Sequence, residues 1–217
     1  MRVVWSVCLA GVLAAVPAAA QDAVKVAPNT YHVVAENDRV RVLHVAIAPK
    51  VKIAMHEHPK HLVIPLAPAS VRFTTPDGKS ADVTMKTEEV GVQPAGTHAS
   101  ESLGPASEAI VIELKGTAGT AAFPADRPGM KSTTLFEDAD AKAVRVSIDS
   151  GFKEAPGTTH DYHQVVITLG TSDIKLSFDG KTTTSWKRGD VRLIGKGVAH
   201  ESAGGKTAGE AIIVAIK

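Results

Sequence analysis

Cysteine is nearly missing from this 217-residue chain: the one example is Cys8, inside an apolar run over residues 3–16. The rest of the chain can therefore form no disulfide and supply no thiol nucleophile. Charge of one sign is missing too, since 24 basic residues face 23 acidic ones. No net field draws the chain to nucleic acid or an anionic membrane. Aromatic residues make up only 4%, too few for the stacking platforms of single-strand binders. There is no GxSxG elbow, no P-loop and no dinucleotide glycine pattern, which removes the usual hydrolase, NTPase and Rossmann readings. Beyond the first twenty residues no apolar run is long, and no helical period persists for three turns.

Those first twenty residues read as an export signal. Arg2 precedes the apolar run, and Pro17-Ala18-Ala19-Ala20 supplies a small-residue cleavage site before Gln21. The run is shorter than the roughly 20 residues a bilayer span needs. The expected mature protein is periplasmic or secreted, with no membrane attachment after processing. Val7 stands where a lipoprotein would carry a small residue ahead of Cys8, so a lipid anchor is not expected.

What is present is a repeat. His58 and His160 are 102 positions apart, as are His61 and His163, and His98 and His200. Asp77-Gly78-Lys79 returns as Asp179-Gly180-Lys181 at the same offset, and Ile110-Val111-Ile112 returns as Ile212-Ile213-Val214. This series points to gene duplication. Each half reads as short strands with period-2 alternation, among them Val40-Arg41-Val42-Leu43-His44-Val45 and Ile174-Lys175-Leu176-Ser177-Phe178. Turn residues separate them. The sequence predicts an all-β protein of two similar domains at 21–118 and 133–217, joined by a Gly/Pro-rich linker at 119–132, with the signal at 1–20.

Nine histidines carry the chemistry. On an extended strand His56 and His58 point to one face, because side chains alternate. A third imidazole must come from another strand, and His98 follows a turn at the right distance. Three nitrogen ligands leave a position open for water or substrate; neutral imidazole suits Zn, Cu, Fe and Ni, and the expected metal is one of these or Mn.

His56-Glu57-His58 and Pro94-Ala95-Gly96-Thr97-His98 resemble the two motifs of the cupin superfamily, an HxH pair followed by Glu, and PxGxxH. His160 and Gly195-Lys196-Gly197-Val198-Ala199-His200 resemble them in the second half. The resemblance covers nearly all of the mature chain and implies a bicupin, two tandem jelly-roll barrels. Openings such as Glu36-Asn37-Asp38-Arg39-Val40 look like small bacterial cupins of poorly defined role. The chain departs from the pattern where most metal cupins have Glu, since Leu62 stands there in the first half and Gln164 in the second. His61 and His163, one residue earlier, either take the carboxylate's place or face away from the barrel. Parity leaves this open, because Leu62-Ile64-Leu66 and Val63-Pro65 are both apolar. Thr158 replaces the first histidine of the second half, so His160, His163 and His200 read as an inherited, weakened site.

The resemblance implies one divalent transition metal in the N-terminal barrel, in a metal-dependent oxidoreductase or dioxygenase acting on a small organic molecule. Isomerase and lyase chemistry also occur on this fold, and a non-catalytic module binding a small molecule or metal is the alternative. No nucleic-acid partner is expected, and the oligomeric state is open between monomer and homodimer.

Overall fold

The computed structural model describes residues 21–116, 119, 123 and 126–217. The expected signal at 1–20 and part of the expected linker lie outside the described residues. The first half contains β1 (Gln21–Asp22), α1 (Ala23–Val26), β2 (Tyr31–Glu36), β3 (Val40–Ile47), β4 (Lys52–His58), β5 (His61–Pro65) and β6 (Ala69–Thr74). It continues with β7 (Ser80–Met85), β8 (Gly91–Gln93), β9 (Gly96–Ser102) and β10 (Ser107–Leu114). The second half contains β11 (Met130–Glu137), β12 (Ala141–Ile148), β13 (His163–Thr168) and β14 (Lys175–Phe178). Its last strands are β15 (Lys181–Thr183), β16 (Val191–Ile194), β17 (His200–Ala203) and β18 (Gly209–Ile216). β11 thus takes up the end of the stretch read as linker.

Each half is a jelly-roll barrel made of two facing sheets. The first half pairs its strands in the orders β1-β4-β9-β6-β7 and β2-β3-β10-β5-β8, the second in the orders β11-β12-β18-β13-β16 and β15-β14-β17. Turn chemistry closes the hairpins. Asp179 and Gly180 have φ of 51° and 69°, and Gly78 has φ of 82°, all left-handed values that Gly and Asp tolerate. The helix α1 is a single turn, capped by the Asp22 side chain, which accepts from Val24 N–H at 3.0 Å. Among the described residues no helix is long and apolar enough to cross a membrane.

The two barrels meet sheet against sheet. In β10 and β18 apolar residues run consecutively because both faces of each strand are buried. Leu43, Val45 and Val111 face the first barrel's interior with Tyr31 and Ile53. Val42, Leu62, Ile64, Ile110 and Ile112 face the other way, against Ala143, Val165, Ile167, Ile212 and Val214 of the second half. A polar rim surrounds this seam, where Lys60 reaches Asp138 at 2.5 Å and Arg145 reaches Glu88 at 2.8 Å. Ile64 is fully buried in the seam. Ile64→Val should therefore destabilise the whole chain by about 1 kcal/mol, seen as a lower urea midpoint at unchanged slope.

Candidate metal centre

β4 and β9 build the first-half cluster. His56 and His58 lie on one face of β4, and His98 of β9 is directly opposite His56 in the ladder. One ligand nitrogen from each of these three side chains lies within 4.8 Å of the others. His56 is fully buried and His58 nearly so.

Hydrogen bonds to the far side of each ring set which nitrogen is free. Carbonyl and carboxylate oxygens cannot donate, so Nδ1 must carry the proton wherever it meets one. His56 Nδ1 donates to the Ala54 carbonyl at 2.8 Å, and His58 Nδ1 to Glu113 Oε1 at 2.6 Å. Nε2 is thereby left with its lone pair, the form a metal requires. The Tyr31 hydroxyl donates to His56 Nε2 at 3.2 Å. Burial pulls the His98 pKa down to about 3, helped by the neighbouring imidazoles. Burial also lowers His56, against the Ala54 hydrogen bond. Both rings are therefore neutral donors at pH 7.

Glu113 anchors the cluster from behind. It is fully buried, between His58 and the guanidinium of Arg41, which also pairs with Asp22 at 2.5 Å. Burial pushes the Glu113 carboxyl up, but the hydrogen bonds from His58 and Arg41 outweigh it and hold it below its ordinary range. Sequence reasoning passed over Glu113, Arg41 and Tyr31. A signal for the first existed, since Glu113 is the one charge in the apolar run Ile110-Val111-Ile112-Glu113-Leu114.

The fold answers the parity question left open at the hairpin. Leu62 points into the seam between barrels. His61 points inward, its ring centroid 4.7 Å from that of His58, with Nδ1 donating to the Pro59 carbonyl at 2.8 Å. Burial lowers its pKa to about 4, against that hydrogen bond. It stands beside the three-histidine cluster and does not belong to the group within 4.8 Å. Glu57 is exposed, and Phe73 lies 5.0 Å from the His98 ring. His58, His61, His98 and Phe73 line a cavity of about 340 Å³, with further walls from Val45, Val63, Val71, Val83 and Val111.

In the second half Thr158 pairs with His200 as His56 pairs with His98, so the 102-residue offset holds there. It fails in the next strand. Val63 pairs with Val111, but Val166 pairs with Ile213 and Gln164 with Ala215, an offset of 103 on the inner strand. Gln164 is consequently the inward counterpart of His61. His163, counted in sequence with His160 and His200, is not brought to them. Its Nδ1 instead accepts from Asn37 of the first half at 3.0 Å. His160 and His200 do meet, with ring centroids 4.9 Å apart. Glu154 joins them within 4.8 Å, a residue no motif had marked.

Solved structures with similar folds match almost the whole chain at low identity. A cupin 2 conserved barrel domain protein from Leptotrichia buccalis superimposes with a TM-score of 0.60 at 13% identity, over 87% of this chain and 88% of its own. Salicylate 1,2-dioxygenase from Pseudoaminobacter salicylatoxidans, solved with gentisate adducts, gives 0.61 at 12% identity, over 84% and 70%. AerE from Microcystis aeruginosa gives 0.60 at 12% identity, over 87% and 97%. The fold is that of the cupins. No family model matches the sequence, and no curated protein matches it. On this fold the chain keeps an inward histidine trio of the kind a transition metal needs. Three imidazole nitrogens this close together fit such an ion, and His56, His58 and His98 are the residues that would hold it.

Proposed function

We propose that the mature protein is an exported, metal-dependent oxidoreductase of dioxygenase type, acting on a small uncharged organic molecule in the N-terminal barrel at 21–118. The observation that carries this reading is the convergence of one ligand nitrogen each from His56, His58 and His98 beside a largely apolar cavity. A bound transition metal would supply Lewis acidity and, as iron, copper or manganese, one-electron chemistry. The chain's own residues do the rest. Arg41 and Glu113 fix the orientation of His58. Tyr31, its hydroxyl pushed up to about 12 by burial, keeps its proton beside His56. The valine walls and Phe73 exclude water and accept an apolar body.

No lysine or arginine is among the cavity's lining residues, so the metal alone would offset a substrate carboxylate. Uncharged ring compounds with an oxygen donor suit it better than the gentisate bound by the salicylate dioxygenase neighbour.

The test starts from chain beginning at Gln21, purified without a histidine tag. Elemental mass spectrometry should find metal, and oxygen uptake with catechol should exceed that with salicylate at least about tenfold. Metal near zero after incubation with excess ions would overturn the metal centre. Metal without uptake of oxygen on any ring compound would leave a binding module. Export is checked separately, by an N-terminus at Gln21 in a periplasmic fraction.

A further inference from the structure

We infer that the C-terminal barrel holds a second divalent-metal site, made by Glu154, His160 and His200 and differing from the first in charge. Its carboxylate comes from ahead of the hairpin, outside both sequence motifs. Glu154 lies beside the irregular bridge between Lys153 and Ala203, and its backbone N–H donates to the Ser202 carbonyl at 2.8 Å.

The first argument is a confrontation of acceptors. His200 Nδ1 faces the Val198 carbonyl at 3.2 Å and must donate to it, which leaves the lone pair on Nε2. That Nε2 lies 3.5 Å from Glu154 Oε2, so two lone-pair-bearing atoms face each other in a buried place. Such a pair needs either a proton or a metal cation between the two atoms. The carboxylate is already oriented for that task. Arg127 donates to Oε1 at 2.8 Å and the Ser202 hydroxyl to Oε2 at 2.8 Å, so each oxygen has one partner and spare lone pairs.

The second argument is independent. The Tyr162 hydroxyl is buried without a hydrogen-bond partner, and it lines the same cavity of about 50 Å³ as Glu154, His160 and His200. A buried phenol left unpaired costs free energy unless something polar, such as a metal-bound water, sits opposite it. The cavity is the right size for little more. An open groove of about 330 Å³, bordered by Gly157, Phe178, Lys181 and Glu201, touches His200 from outside and offers a way in.

Donor chemistry separates the two sites. Three imidazoles add no charge, whereas two imidazoles and a carboxylate add one negative charge. The second site therefore favours harder dications such as Mn(II) and Fe(II).

The experiment counts Mn(II) bound to the whole mature chain by the EPR signal of free Mn(II). Wild type should bind two equivalents, and Glu154→Gln and His160→Gln one each, with the lost equivalent weakened at least about tenfold. Because Glu154→Gln also leaves Arg127 without its partner, the half-buried His160→Gln decides if the first variant fails to fold. His98→Ala distinguishes the sites, because it removes the other equivalent only. One equivalent lost with Glu154 or His160 but indifferent to His98 would keep this site and overturn the first. One equivalent lost with His98 and untouched by both other variants would overturn this site, leaving a proton between His200 and Glu154.

Discussion

His98→Ala should strip the N-terminal cluster of its metal. His98 is the one member of the trio on β9, and without it two imidazoles of β4 remain, both already hydrogen-bonded on their far sides. Losing even an outer partner of a metal ligand costs roughly 10- to 100-fold in affinity, and losing a ligand should exceed this. Chelator competition is expected to show a drop of at least about 100-fold. The substitution removes a neutral ring that borders a cavity, so the far-UV spectrum should be unchanged. Undiminished affinity in a folded His98→Ala protein would mean that the metal lies elsewhere.

Glu113→Ala should be the most destabilising single change near the site. It leaves the Arg41 guanidinium with Asp22 alone and removes the acceptor that orients His58. Breaking a buried ion pair from one side costs about 3–5 kcal/mol. Metal affinity should fall about 10- to 100-fold as well, since the ring of His58 is freed to turn. The pH dependence carries the sign. Because the folded carboxyl is held below its ordinary range, its contribution is complete at neutral pH and is lost as acid protonates it. Urea midpoints measured from pH 7 downward should thus fall for wild type and stay flatter for Glu113→Ala. A variant as stable as wild type at pH 7 would show that the Arg41–Glu113–His58 arrangement contributes nothing.

Strand geometry explains what could be read beforehand. Period-2 alternation is enough to put His56 and His58 on one face, and a turn before His98 is enough to bring it alongside. Both follow from residue spacing, as does the equivalence of Thr158 with His56. His61 and Leu62 were beyond such reasoning because their sheet is covered on both sides, so hydrophobicity marks neither face as outer. The extra residue between His160 and β13 was hidden for a related reason. A one-residue slip exchanges the two faces of a strand, yet His163 and Gln164 are both polar and conceal it. Glu154 lies in an irregular segment, where no period applies.

The seam between the barrels gives the chain a property neither half has alone. A domain joined to its neighbour by a string of loops would melt by itself and keep the benefit of its ligand to itself. Here Val42, Leu62 and Ile112 belong to the first barrel's sheet and to the second barrel's packing at once. Opening one barrel exposes apolar surface of the other, so the two should unfold as a single cooperative unit. An ion held by the first barrel at 100 times its dissociation constant adds about 2.7 kcal/mol to that unit as a whole. Saturation of one barrel is therefore written into the thermal stability of residues in the other, including strands that never approach the ion.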